Sequence, residues 1–309
     1  MKKALIIGTG SIAKKHINNL YQLKYAIYIF SNSKNKVKLN NKDIKLNYIS
    51  SLKNLKNFDF AILANATFRH LNFLKILVKK KIHIYCEKPI FHKKFNFLKM
   101  KNEIKKNKIL FFTGYQLLQH EKVIFLKKKL KKEKILSFNI EVGHDYKKWR
   151  SGNIDKTRYF LNKDKGGGVI FELIHEINLI QNLLGKIIYI KTLKKKSNKN
   201  YNLEDLAVSI IKTKKNIIGL LHQDMVSPIF YRRIKILTQR NLYYLDIANN
   251  IFKINKKKIK LNISDNFHQS LLKKNLINFI KLIDNNNKSL EYFEQSISDL
   301  KVALKMHKI

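Results

Sequence analysis

Three short stretches hold reactive residue types at spacings that can do chemistry. In IIGTGSIA, residues 6–13, an apolar run leads into Gly8-x-Gly10-x-x-Ala13. Gly8 permits a tight turn, Gly10 lets the backbone approach a pyrophosphate, and Ala13 is small enough for a helix to pack on its strand. The free N–H groups at the start of that helix would face the anion. In IHIYCEKPI, residues 82–90, Lys88 stands between Glu87 and Pro89, after an apolar run. An ammonium at the carboxyl end of a parallel strand can hydrogen-bond a reacting oxygen and stabilise negative charge developing on it. Pro89 stops the strand from continuing. In GGGVIFELIH, residues 166–175, Glu172 and His175 lie three apart after a glycine turn. On one regular helix they share a face. The imidazole can then exchange a proton with a hydroxyl near neutral pH, and Glu172 can orient it or bind a hydroxyl. Glu176 points elsewhere by the same spacing and reads as an ordinary polar residue.

The elements that must position these residues fall into two groups. Residues 1–117 alternate apolar strands (KKALII, YAIYIF, KLNYI, FDFAIL, IHIYC and KILFFT) with helical patterns. Strands apolar throughout and separated by helices predict a doubly wound parallel sheet, an α/β Rossmann domain. Residues 118–309 change character. A helix at 119–132, a long strand KILSFNIEVGHDY and one long helix from the triple glycine to Gly185 lead into five short strands joined by turns. Two helices, near 266–283 and 289–306, close the chain. This predicts a second α+β domain on an open, mainly antiparallel sheet, with the final helix able to pack back on the first domain.

Composition bounds the function. The formal net charge is +43, yet only six of the 64 basic residues are arginine. Nucleic-acid surfaces favour the bidentate fork of Arg, and here lysines are spread along the whole chain with many Asn and Ile. That pattern fits an A+T-rich genome, and nucleic acid is not expected as a partner. The scarce arginines are the ones expected to do what Lys cannot. A single cysteine, Cys86, fits a reducing compartment and excludes an internal disulfide. The apolar run at the start ends at Gly8, too short for a signal segment, and no stretch is long enough to span a membrane. The expected localisation is cytoplasmic. Dispersed histidines and the absence of a Cys pair predict no metal site.

Taken together, GTGSIAKKH, DFAILANATFRHLNFLKILVKKKIHIYCEKPI, TGYQ and GGGVIFELIHEINLI resemble the Gfo/Idh/MocA family over nearly the whole chain. The stretch EVGHDYKKWRSGNIDKTRYFLNKDKGGG is similar to a subgroup associated with bacterial surface-polysaccharide and sugar-modification pathways. The resemblance implies an NAD(P)-dependent oxidoreductase that passes a hydride between nicotinamide and a carbon of a sugar or nucleotide sugar. It implies that residues 118–309 serve substrate binding and oligomerisation, as a homodimer or homotetramer. It also implies that Lys88 contacts both cofactor and substrate, that His175 is the acid–base residue, and that Glu172 supports it. Three departures stand out: Leu118 and Glu121 replace a common Arg and Pro, and Glu172 stands where Asp is frequent. These bear on substrate contacts more than on reaction type.

The cofactor side is then expected to comprise Gly8, Gly10, Ser11, Ile12, Ser31, Ser33, Lys34, Asn65, Ala66, His70, Glu87, Lys88 and Gln116. An acid at the end of the second strand would bind the ribose hydroxyls of NAD. The segment Ser31-Asn32-Ser33-Lys34 holds hydroxyls and a lysine instead, which suits a 2′-phosphate and favours NADP. On the substrate side, Arg158 suits a phosphate or carboxylate, Tyr159 adjoins it, and Trp149 and Arg150 form a further pair. Tyr231, Arg232 and Arg233 are weaker candidates. Two rival functions remain on the same fold: a sugar epimerase or eliminase without net redox, and a non-catalytic sensor.

Overall fold

A computed structural model describes residues 1–31, 36–53, 55–146, 159–197, 203–261 and 267–307. The chain divides into two compact units, residues 1–116 with 266–297 and residues 117–265 with 298–309.

The first unit is built on six parallel strands, β1 (Lys3–Ile7), β2 (Ala26–Phe30), β3 (Leu46–Tyr48), β4 (Phe60–Leu63), β5 (His83–Cys86) and β6 (Phe111–Thr113). Their order is β3-β2-β1-β4-β5-β6, the doubly wound order expected from the apolar runs. Chain direction across the sheet reverses its progress between β1 and β4. The crevice at their carboxyl ends is where such sheets bind ligands. Helices α1 (Ser11–Gln22), α2 (His70–Lys79) and α3 (Phe97–Lys106) connect the strands. All four residues of β4 are buried, as a strand covered on both faces requires.

The later helix α7 (Phe267–Asp284) also belongs to this unit. Its Leu276 and Phe279 are fully buried among Ala4, Ile62, Tyr85 and Phe112. The Phe279 ring meets Phe60 at 5.3 Å and Tyr85 at 5.6 Å. Burying such an aromatic contributes about 1.5–3 kcal/mol. Asn275 donates to the Tyr85 hydroxyl at 2.9 Å, so the one polar atom of that buried ring has a partner.

In the second unit, eight strands run in the order β14-β13-β12-β11-β7-β10-β9-β8. They are β7 (Ile135–Gly143), β8 (Ile187–Lys195), β9 (Leu206–Thr213), β10 (Ile218–Asp224), β11 (Tyr231–Thr238), β12 (Leu242–Asp246), β13 (Ile251–Ile254) and β14 (Lys257–Lys258). All pairings are antiparallel except β7 with β10. Helix α4 (Glu121–Leu130) precedes the sheet. One face packs on helices. On the other, Leu193, Ile210, Ile218, Leu220 and Leu237 remain exposed.

Two expectations need correction. The short strands β13 and β14 extend the sheet beyond those legible in the sequence. The single long helix after the triple glycine is interrupted: α5 (Val169–Glu172) ends before α6 (His175–Leu184) begins. Gln223 of β10 explains the break, because its side-chain amide donates to the carbonyl of Leu173 at 2.6 Å, an oxygen that a continuous helix would use itself. The last helix, α8 (Glu291–His307), completes the chain's regular structure.

Candidate active site

In the first unit the glycine turn lies against the end of β4. Gly8 adopts a positive φ of 128°, and a Cβ there would come within 2.6 Å of the Ala64 carbonyl oxygen and 2.8 Å of the Asn65 nitrogen. Its N–H donates to Phe30 at the end of β2 at 3.0 Å. Gly10, by contrast, faces open space, with nothing within 4 Å of a notional Cβ. Helix α1 starts there with no side-chain cap and no acid in its first turn. Its leading N–H groups, those of Ser11 and Ile12 among them, are therefore available to an anion, while Ala13 is buried against the sheet. The residues present fit a dinucleotide pyrophosphate.

These two glycines make different demands. Gly8→Ala is expected to destabilise the fold by about 2 kcal/mol or more, since it combines a strained φ with a backbone collision. Gly10→Ala should leave the melting temperature close to wild type and weaken dinucleotide binding alone. Thermal melts paired with cofactor titrations check both; equal melting temperatures for the two variants would refute the assignment.

Lys88 is half-buried just past β5, and both of its chain neighbours are pinned. Glu87 accepts from, or is ion-paired with, the ring of His16 at 2.7 Å; His16 is fully buried on α1. The glycine at 114 leaves room for this arrangement, because a Cβ there would stand 3.2 Å from the Glu87 carboxylate and 2.9 Å from the Tyr85 hydroxyl. On the other side, the Lys88–Pro89 peptide is cis, and the Pro89 carbonyl faces His70 Nδ1 at 3.1 Å. His70 Nε2 lies 3.0 Å from the carbonyl of Asn65. Burial lowers the pKa of His70, and a neutral ring has one N–H to give. The Cys86 thiol, whose pKa burial raises well above its ordinary value, donates to the Glu87 carbonyl at 3.3 Å, which leaves Nδ1–H for the Pro89 carbonyl. His70 is thus buried between the exits of β4 and β5, where it holds the Pro89 carbonyl in place. Asn65, Ala66 and Gln116 are half-buried at the same carboxyl edge, and Ser31 follows β2.

In the second unit, the glycine turn again carries the site. Gly168 has φ 107°, and a Cβ there would stand 2.4 Å from the Glu204 carboxylate. The Glu204 carbonyl accepts the Val169 N–H at 3.0 Å. Glu172 ends α5 and His175 opens α6, so the pair brackets the interruption instead of occupying successive turns of one helix. Both are largely buried, at 4% and 8% exposure. Tyr159 is half-buried at the start of a short 3-10 turn, Tyr159–Leu161. Ser33, Lys34, Trp149, Arg150 and Arg158 lie outside the described residues.

Glu176, read from the sequence as an ordinary polar residue, is fully buried and accepts from Arg232 Nε at 2.8 Å. The neighbouring side chains of β11 point the opposite way. Tyr231 donates to Asp224 at 2.5 Å, and burial together with that carboxylate raises its pKa. Arg233 lies 3.5 Å from Asp246. The scarcity of arginine was the one sequence signal that pointed to Arg232.

Residues 2–115 match the model of the Gfo/Idh/MocA oxidoreductase family, with an NAD-binding Rossmann fold. A curated relative, 2,7-anhydro-N-acetylneuraminate hydratase of Escherichia coli (strain K12), is 24% identical over 144 residues; the match spans 47% of this chain and 38% of that protein. Among solved structures, UDP-N-acetylglucosamine 3-dehydrogenase GnnA from Acidithiobacillus ferrooxidans superposes with a TM-score of 0.82 at 15% identity, over 99% of this chain and 96% of its own. Levoglucosan dehydrogenase in complex with NADH gives 0.80 at 14% identity, over 98% and 96%. At these identities the structural matches establish the fold.

Proposed function

We propose, for a chain whose residues 2–115 match the model of the Gfo/Idh/MocA oxidoreductase family, that it oxidises or reduces a CH–OH group on a sugar or nucleotide sugar, in surface-glycan biosynthesis. One observation carries the reading: Lys88 stands at the carboxyl edge of the first sheet with Glu87 and Pro89 each anchored by a buried histidine. An ammonium held this way can polarise a substrate oxygen, because little reorganisation remains to be done when charge develops. NAD(P), when bound, supplies the hydride acceptor or donor. Gly8, Gly10 and the N–H groups of Ser11 and Ile12 would hold its pyrophosphate, and Asn65, Ala66 and Gln116 line the same edge. His175 takes or returns the hydroxyl proton, with Glu172 in support. The relatives named above act on sugar derivatives, which supports the substrate class. The lone, buried Cys86 supports a cytoplasmic setting. Exposed apolar side chains on the uncovered sheet face support assembly into a homodimer or homotetramer.

The test is a screen of nucleotide sugars and free sugars with either nicotinamide, following absorbance of the reduced form. The hydratase relative favours a second reading, in which substrate is transiently oxidised and re-reduced with no net redox. Product formation without net change in reduced nicotinamide would select it.

NADP(H) is the expected cofactor, since no carboxylate occurs in the segment 31–34 after β2. In calorimetric titrations NADP(H) should bind more tightly than NAD(H), and Lys34→Ala should narrow the difference. Tighter NAD(H) binding by the wild-type protein would reject the 2′-phosphate argument and leave the fold assignment intact.

A further inference from the structure

The buried pair Glu176–Arg232 is not needed by the chemistry assigned to Lys88 and His175. Arg232 sits opposite Val142 in the β11–β7 ladder, on the face that also carries the buried Ile234 and Ile236. Its side chain is 8% exposed and that of Glu176 is fully buried. Removing two charges from water is expensive, and an apolar pair of similar volume would pack the same space as well or better. A role beyond packing is therefore indicated.

The geometry says what that role can be. A guanidinium carries five N–H donors in a rigid fork. Here the Nε donor is taken by Glu176 at 2.8 Å, and the two terminal nitrogens, without an acceptor among the described residues, keep access to solvent. The Phe230 ring lies 5.8 Å from the guanidinium carbon and covers one side. Glu176 thus fixes the plane of the group from its Nε side. The opposite edge, with two parallel N–H donors, matches a carboxylate or phosphate taken bidentately. Glu176 follows His175 directly in the first turn of α6, so the fork is tied to the turn that bears the proton-transfer residue.

We propose that Arg232 binds an anionic group of the substrate, a carboxylate or a phosphate, and that Glu176 is the positioning residue that aims it. The proposal rests on reading this unit as the substrate side. It narrows the substrate to acidic sugars or nucleotide sugars and disfavours neutral ones.

Calorimetry on the full chain tests it with three probes: UDP-N-acetylglucosamine for a phosphate, N-acetylneuraminate for a carboxylate, and levoglucosan as the neutral control. The wild-type protein should bind at least one anionic probe. Arg232→Lys, which keeps the charge and loses the fork, should weaken that probe about ten- to hundredfold, the range for hydrogen bonds to charged groups. Glu176→Gln should weaken it less, and should leave NADP(H) affinity unchanged. If Arg232→Lys melts early, the double variant Glu176→Leu, Arg232→Met removes both charges together; it should fold and still lose the anionic probe. Phosphate and carboxylate sources separate by which probe responds. Wild-type protein that binds neither anionic probe overturns the proposal, as do folded variants that bind it with wild-type affinity. Arg232-dependent binding in a protein without nicotinamide turnover would instead sink the functional reading and leave this one standing.

Discussion

Lys88→Ala is expected to lower turnover by about three orders of magnitude or more, the largest effect of any single change considered. In the proposed mechanism the removed ammonium stabilises charge on the reacting oxygen, and losing one such donor commonly removes about 10²–10³ in rate for a neutral group, with a full charge at the upper end. The fold should not suffer. Lys88 is half-buried past the end of β5, and the contacts that set the local backbone belong to Glu87 with His16 and to Pro89 with His70. The melting temperature is therefore expected to stay near wild type. Lys88→Arg should not restore activity, because a planar fork cannot occupy the position of a compact ammonium. Steady-state kinetics and thermal melts on both variants check this. A Lys88→Ala protein with near-normal turnover would show that the lysine serves the cofactor side or the structure alone.

His175→Asn should slow the chemical step by about a hundredfold or more, the usual scale for losing a positioned proton acceptor. With His175 as the proposed acid–base residue, oxidation would require the neutral imidazole and reduction its protonated form. The variant should therefore flatten the acid limb of the pH–rate profile for oxidation, where the wild-type rate falls as the ring takes up a proton. Cofactor affinity should be unchanged, since the residue belongs to the unit that lacks the glycine turn of β1. The comparison needs both profiles and both affinities. A variant that keeps the wild-type rate and pH dependence would make His175 a packed residue, consistent with its low exposure, and would turn attention to Tyr159.

Much of the first unit was legible because its central strands are buried on both faces. Runs such as Ala4–Ile7 and Phe60–Leu63 have no polar alternative to a covered parallel sheet, and Gly8-x-Gly10 marks the turn between strand and helix. What escaped depends on partners far away in sequence. The break between α5 and α6 is made by Gln223, fifty residues beyond the carbonyl it takes. Periodicity alone sees an unbroken helix there. Glu176 looked ordinary for the same reason: its partner Arg232 arrives 56 residues later, on a strand. The amphipathic pattern of α7 announces a helix with one buried face, but nothing in that pattern names the sheet it covers. On the cofactor edge, the reactive types were recognisable, whereas the bracing of Lys88 by His16 and His70 appears only once β4, β5 and α1 are side by side.

The membership of α7 in the first unit has a consequence for the order of events during synthesis. The cofactor-binding unit is written in two instalments, residues 1–116 and 266–297, with most of the other unit between them. When the sixth strand leaves the ribosome, the face formed by Phe60, Tyr85 and Phe112 still lacks Leu276 and Phe279. The nascent sheet must carry that apolar face uncovered while about 150 further residues are made, on the order of ten seconds at typical elongation rates. Early protection by a holdase, and late acquisition of dinucleotide binding, are the cellular signature such a chain order would leave.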